Sequence, residues 1–270
     1  MKQNKATILN GKLLAENILE QIKQEIEQIG LTPGLAAILV GDNPASKMYL
    51  ELKEKACKKV GINFNKYLCN SQCYDNIDEK ELLDMIEFLN QDKQIDGILI
   101  QLPLPSRFNT NKIIKAIDPN KDVDGFYNGK ITPPTIAAII ELLKMTKENL
   151  ANKTAIIIGK SDIFINNLET HLLNLGIKKV TKEKNSQQPY FDYDIVIVAY
   201  GQPYFLKSEN IKNEAIVIDV GINKLNGITV GDVDPQVVNK ASFISPVPGG
   251  VGPLTVACLL RNILELTKQH

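Results

Sequence analysis

The sequence predicts an α/β protein of two units, each a parallel sheet with helices packed against it. Two observations predict it. Short continuous apolar runs, LAAILV at residues 35–40, TAIII at 154–158, DIVIVAYG at 194–201 and AIVIDVG at 215–221, read as buried parallel strands. Between such runs stand stretches with apolar residues at helical spacing, bounded by Gly, Pro and Asn.

In the first unit, Leu13, Leu14, Ile18, Leu19, Ile22, Ile26 and Ile29 recur at a helical period that stops at Gly30. The strand at 35–40 then leads into residues 40–62, VGDNPASKMYLELKEKACKKVGI. Asp42 and Asn43 offer N-cap oxygens, Pro44 suits the first turn, and Gly61 suits a left-handed stop. Residues 62–68 alternate like a strand, a Cys/Ser/Asn-rich loop follows, and a helix is expected over 77–90. A strand at 97–101 ends where Pro103 and Pro105 cannot continue a ladder. After the Asp/Pro/Gly loop at 118–134, a helix over 135–148 leads out of the unit.

The second unit opens with the strand at 154–158, the turn at Gly159 and a helix over 163–175. Strands follow at 177–181, 194–201 and 215–221, which argues for a Rossmann-like parallel sheet. Residues 245–266 join a Pro/Gly loop to an apolar C-terminal helix. The paired glycines of that loop permit a flat ligand to approach the backbone closely.

Composition narrows the function classes. The chain has 270 residues, 44% of them hydrophobic, enough for real cores. Acidic and basic side chains balance at 31 each without a basic stripe, so no nucleic-acid partner is expected. The start lacks an apolar leader, and no apolar run approaches the roughly 20 residues that span a bilayer, so a cytosolic protein without a membrane partner is expected. Cys57, Cys69, Cys73 and Cys258 are scattered, and His171 and His270 are the only histidines, so no metal site is expected. Acid/base chemistry near neutral pH then falls to Lys, Asp, Glu, Tyr or Cys with a shifted pKa.

Candidate chemistry centres on the helix after the first strand. Tyr49 and Lys53 are four residues apart and share a face, an aromatic platform beside a basic nitrogen. The ordinary reading is a solvated lysine on a helix that also bears Lys47, Lys55, Lys58 and Lys59. Gln101 stands at the carboxyl end of its strand, where open α/β sheets bind ligands, and its amide is able to hold the Lys53 amine. Asp124 can accept hydrogen bonds from an amino-substituted heterocycle, although carboxylates in such loops are usually solvated or capping. The N–H groups that open the helix after Gly159 can receive a phosphate, helped by Lys160 and Ser161. This turn is not GxGxxG, and turn chemistry alone would explain the single glycine.

Taken together, the segments VGDNPASKMYLELKEKACKKVGI, DGILIQLPLP, PNKDVDGF, IDVGI, GDVD and PVPGGVGPLT run in collinear order between residues 8 and 266. They closely resemble the bifunctional methylenetetrahydrofolate dehydrogenase/methenyltetrahydrofolate cyclohydrolase family. The resemblance implies a catalytic folate-binding domain, residues 1–134 and 253–270, and a Rossmann-like NAD(P)-binding domain, residues 135–252, with the cleft between them. It implies tetrahydrofolate derivatives as substrates, NADP as cofactor with NAD as the alternative, and a cytosolic homodimer serving one-carbon metabolism and purine biosynthesis. By motif, Lys53 would be the principal cyclohydrolase residue, Tyr49 would stack beside the pterin, Gln101 would tune the lysine and Asp124 would bind the pterin edge. Leu102, Pro248, Gly249 and Gly250 would complete the substrate site. Thr135, Gly159, Lys160, Ser161, Ile222, Gly252 and Thr255 would hold the dinucleotide.

Departures from the family pattern lie in the nucleotide half. In GKSDIFINNLE, Lys160 replaces an arginine, Ile165 a glycine and Asn167 a proline; Ile136 alters PCTP to PPTI, and residues 183–185 replace Cys-His-Ser. Ile165 is expected to crowd the pyrophosphate, and Glu183 to repel a ribose 2′-phosphate that it faces. The residues thus leave open a cyclohydrolase with weak or lost dehydrogenase activity, and a folate-binding module without chemistry.

Overall fold

The computed structural model describes residues 5–69, 77–126, 131–184 and 189–269. In chain order the elements are β1 (Thr7–Ile8), α1 (Gly11–Ile29), β2 (Gly34–Val40), α2 (Pro44–Val60), β3 (Asn63–Cys69), α3 (Glu79–Gln91), β4 (Gly97–Gln101), α4 (Thr110–Lys115) and α5 (Pro134–Met145). There follow β5 (Thr154–Gly159), α6 (Asp162–Asn174), β6 (Lys179–Glu183), β7 (Ile195–Ala199), β8 (Ile216–Asp219), β9 (Asn223–Leu225), β10 (Ile228–Val230), β11 (Phe243–Ile244) and α7 (Val251–Thr267). The chain forms two compact units, Ala15–Pro134 with Val256–His270, and Met1–Leu14 with Thr135–Thr255. No helix among the described residues is long and apolar enough to cross a membrane.

The unit of Ala15–Pro134 and Val256–His270 is built on a parallel sheet in the order β3-β2-β4. Every residue of β2 is buried, as a strand covered on both faces requires. On one side Ile38, Leu82, Ile86, Leu89, Ile98 and Ile113 form a continuous core. The helix stops are local. Asn43 caps α2 by accepting from the amides of Ala45 and Ser46, and Gly61 closes it at φ 91°. Asp78 and Glu81 form a capping box, so α3 begins after Asp78 instead of at Ile77. Cys73 and most of the expected Cys/Ser/Asn loop lie outside the described residues.

The loop before residue 125 is anchored from three sides. The Ile98 amide donates to the Lys121 carbonyl at 2.7 Å. The Lys121 ammonium in turn donates to the carbonyls of Leu89 and Asp92, at 2.9 and 2.7 Å. From α7, the Asn262 side chain donates to the carbonyls of Val123 and Thr132, both at 3.0 Å. These bonds satisfy polar groups that burial would otherwise penalise.

The second unit carries a six-stranded sheet in the order β1-β11-β8-β7-β5-β6, parallel at every pairing. Its outer strand corrects the expected domain boundary. Residues 1–134 were assigned to the first unit, yet Thr7 and Leu9 donate to the carbonyls of Ser242 and Ile244, each at 2.8 Å, so the chain start belongs to the second sheet. A two-residue strand is too short to show a period. At the other end, residues of α7 from Val256 onward group with the first unit, close to the expected residue 253. The hairpin of β9 and β10 was also not anticipated; Asn226 and Gly227 turn it at φ 51° and 81°, the Asn-Gly pairing that suits a tight hairpin.

Gly34 has no room for a side chain: an added Cβ would lie 1.8 Å from the Gln94 carbonyl oxygen. Gly34→Ala is expected to destabilise the protein by about 1–3 kcal/mol, read as a lower denaturation midpoint with an unchanged m-value.

Candidate active site

The parallel register sets Leu39 of β2 opposite Gln101, the last residue of β4. Both strands therefore end at the same level, where β2 hands the chain to α2. One turn and two turns into that helix, Tyr49 and Lys53 project from one face. The Lys53 ammonium donates to Gln101 Oε1 at 2.9 Å. Gln101 is almost fully buried, and its Nε2 donates to the Leu102 carbonyl at 2.9 Å, so its oxygen is left to face the amine. The next peptide, Leu102–Pro103, is cis.

Asp122 and Asp124 divide their work. The Asp122 carboxylate accepts from the amides of Asp124 and Gly125 at 3.1 and 3.0 Å, closing the turn. Gly125 has φ 63°, and a Cβ there would meet the Ile131 carbonyl at 2.3 Å. The turn leaves the Asp124 carboxylate within electrostatic range of Lys53. Burial lowers the Lys53 pKa, and the charge of Asp124 opposes that shift. Burial raises the Asp124 carboxyl to about 6, with Lys53 pulling it down and Asp122 pushing it up. Burial likewise raises the Tyr49 phenol. Lys53, Gln101, Leu102 and Asp124 are thus brought together, and Tyr49 is half-buried on the same helix face.

The remaining expected residues belong to the other unit. Gly159 ends β5 and a Cβ on it would meet the Ala199 carbonyl at 3.1 Å, leaving the turn open for a ligand to approach. Ser161 caps α6, accepting from the Phe164 amide at 3.4 Å. The Lys160 ammonium lies 4.1 Å from the centroid of the Tyr200 ring, which is itself stacked on Phe205. Gly249 has φ 107°, and a Cβ on Gly250 would stand 2.5 Å from the Pro246 carbonyl, so the loop after the cis Val247–Pro248 peptide needs both glycines. Ile222 is exposed and adjoins Gly252; Thr255 bonds back to the Val251 carbonyl of α7, and Thr135 opens α5 beside Pro134.

Ile165 does not crowd this turn. It is fully buried, and its side chain lies 3.6 Å from where a Gly159 Cβ would be, filling the space beneath the glycine. Ile136 is also buried, and Asn167 bonds within α6 to the Ile163 carbonyl. The expected obstruction of the pyrophosphate is therefore replaced by a packed support for the turn.

Two carboxylates here were not singled out from the sequence. Asp232, wholly buried, accepts from the amides of Tyr200, Gly201 and Gln202 at 2.6, 2.8 and 2.9 Å and from Asn223 Nδ2 at 2.8 Å. Asp219 accepts from the amides of Gly221, Asp232 and Val233, and burial raises its carboxyl to about 7. Together they shape the loops at the carboxyl ends of β7 and β8. The available signal was the glycine beside each aspartate in IDVG and GDVD, since Gly221 and Gly231 leave no space for a Cβ against these carboxylates.

Residues 9–124 match the catalytic-domain model of the tetrahydrofolate dehydrogenase/cyclohydrolase family, and residues 133–270 match its NAD(P)-binding-domain model. The chain belongs to this family. It is a bifunctional dehydrogenase/cyclohydrolase of folate one-carbon metabolism, with a nicotinamide dinucleotide as its cofactor. Bifunctional protein FolD of Campylobacter hominis is 42% identical over 97% of the chain and 98% of that relative. A solved bifunctional FolD from Campylobacter jejuni is 41% identical, covers 98% of this chain and 99% of its own, and superposes with a TM-score of 0.91. The Trypanosoma brucei enzyme, solved with NADP and an inhibitor, is 31% identical, covers 98% of each chain, and has a TM-score of 0.90.

The raised Asp124 carboxyl makes stability depend on pH. Because its folded pKa of about 6 lies above the ordinary 3.8, the proton favours the fold; that contribution is complete below 3.8 and lost as pH rises through 6. Asp124→Asn does not titrate, so from about pH 4 to pH 7 it should gain roughly 1–3 kcal/mol relative to the parent, measured by paired denaturation curves.

Proposed function

We propose that Lys53 is the base of the cyclohydrolase step and that Gln101 positions it. The observation that carries this reading is the 2.9 Å bond between the partly desolvated Lys53 amine and Gln101 Oε1. A lysine with an ordinary pKa of about 10.4 is charged at neutral pH and cannot accept a proton. Burial raises the neutral fraction, while Asp124 keeps the amine from losing its proton too readily. Water adds to the carbon of the methenyl cation and gives one proton to Lys53. The adduct's hydroxyl then gives up its proton to become the carbonyl as the bond from that carbon to one folate nitrogen breaks; that nitrogen takes its proton from the Lys53 ammonium, leaving the formyl product on the other nitrogen and one proton released to solvent.

In the same reading, Tyr49 stacks on the pterin, Asp124 accepts from its amino and ring N–H groups, and Leu102 contributes an apolar wall. Pro248, Gly249 and Gly250 offer a flat, side-chain-free surface to the substrate. Thr135, Gly159, Lys160, Ser161, Ile222, Gly252 and Thr255 hold the nicotinamide dinucleotide, whose diphosphate suits the amides that open α6. Held there, a nicotinamide would supply hydride acceptance for the one-carbon unit of methylenetetrahydrofolate. Family membership supports a cytosolic homodimer joined through its nucleotide-binding units and supplying formyl groups for purine biosynthesis.

Lys53→Ala and Lys53→Arg are expected to slow methenyl hydrolysis by about 10²–10⁴-fold, because neither supplies a neutral amine. Gln101→Glu would place a carboxylate against Lys53 and move the alkaline-rising limb of the pH–rate profile upward. Unchanged hydrolysis in both lysine variants would exclude Lys53 as the base.

A further inference from the structure

Lys160 stands one residue past the end of β5, and Tyr200 one residue past the end of β7, the strand paired beside it. The register sets Gly159 opposite Ala199, so the two side chains leave neighbouring strand ends at the same level. β6 and β7 flank β5 on opposite sides, and the crevice where open α/β sheets take a dinucleotide therefore lies between β5 and β7, where this pair meets. The Lys160 ammonium lies over the Tyr200 ring, 4.1 Å from its centroid. Among the described residues, no carboxylate or carbonyl is bonded to that ammonium.

The ring itself is fixed twice over. It is stacked on the buried Phe205, with centroids 4.0 Å apart and planes 24° from parallel, which leaves the opposite face for the cation. Its backbone is held by Asp232, which accepts from the amides of Tyr200, Gly201 and Gln202. A lysine on an open turn otherwise carries a strongly hydrated head on a flexible stem, and ordering it costs entropy when a ligand arrives. A π face attracts the ammonium without neutralising it and occupies only one side, so N–H groups on the other side stay available to an anion. A carboxylate in the same place would spend the charge that a phosphate needs.

We propose that Tyr200 is a positioning residue for dinucleotide binding: its ring, backed by Phe205 and Asp232, holds the Lys160 ammonium at the crevice for a phosphate group of the cofactor. This rests on the dinucleotide half of the function proposed above and adds to it a side chain outside the motif positions named there. The diphosphate and a ribose 2′-phosphate offer Lys160 the same chemistry, and NAD, which lacks the second, separates them.

The test is calorimetric titration of the full chain with NADP and with NAD, in the absence of folate. Tyr200→Phe should bind within about twofold of the parent, because the ring face and not the hydroxyl holds the cation. Tyr200→pentafluorophenylalanine keeps the shape of that side chain but reverses the charge on its face, and should bind about three- to tenfold more weakly than Tyr200→Phe. With Lys160→Ala added, the two ring variants should bind alike. A loss with NADP alone assigns the 2′-phosphate and a loss with both nucleotides assigns the diphosphate; either supports the proposal. Equal binding by the two ring variants when Lys160 is present, tighter binding by the fluorinated one, or the same loss with and without Lys160 would overturn it and leave the proposed function standing. Binding of neither nucleotide by the parent would overturn both the proposal and the dinucleotide half, while methenyl hydrolysis, which consumes no nucleotide, reports separately on Lys53.

Discussion

An amine can act as a base in water-exposed chemistry only if it is held in place without being held in its charged form. The bond from Lys53 to Gln101 meets both conditions, because an amide oxygen orients an N–H while adding no full negative charge. Its existence depends on the sheet. Parallel pairing of β2 with β4 brings the end of one strand level with the start of α2, and the third turn of α2 carries Lys53 over Gln101. The cap at Asn43 fixes where that helix begins, so a shift of one residue would rotate the lysine by about 100° off the amide.

Asp124 is placed by a separate route. The loop that carries it is tied to β4 by the Ile98 amide, to α3 by the Lys121 ammonium and to α7 by Asn262. Asp122, one apolar residue away, is consumed in closing the turn. Two acids of one short motif therefore differ in role through backbone geometry: one satisfies amides, and the other remains coupled to the amine.

Much of the fold was legible because the decisive signals are local. The buried strands at β2, β4, β5, β7 and β8 announce themselves as unbroken apolar runs, and Asn43, Pro44 and Gly61 mark α2 without reference to any partner. The pairing of Lys53 with Gln101 was readable from the rule that strand ends gather ligand groups. What escaped depends on distant residues. Thr7–Ile8 is a strand only because Phe243–Ile244 lies beside it, and Ile165 looked obstructive until its burial beneath Gly159 was seen. Asp219 and Asp232 gave no periodic signal, since their partners are amides of other segments.

The Asp232 carboxylate has a consequence for how this half of the molecule can change over generations. With four donors converging on one side chain, and Gly221 and Gly231 filling the space around the two acids, no single replacement in those loops can be accommodated by adjusting one neighbour. Exchange is thereby discouraged in the loops that follow β7 and β8, which keep their form as a unit.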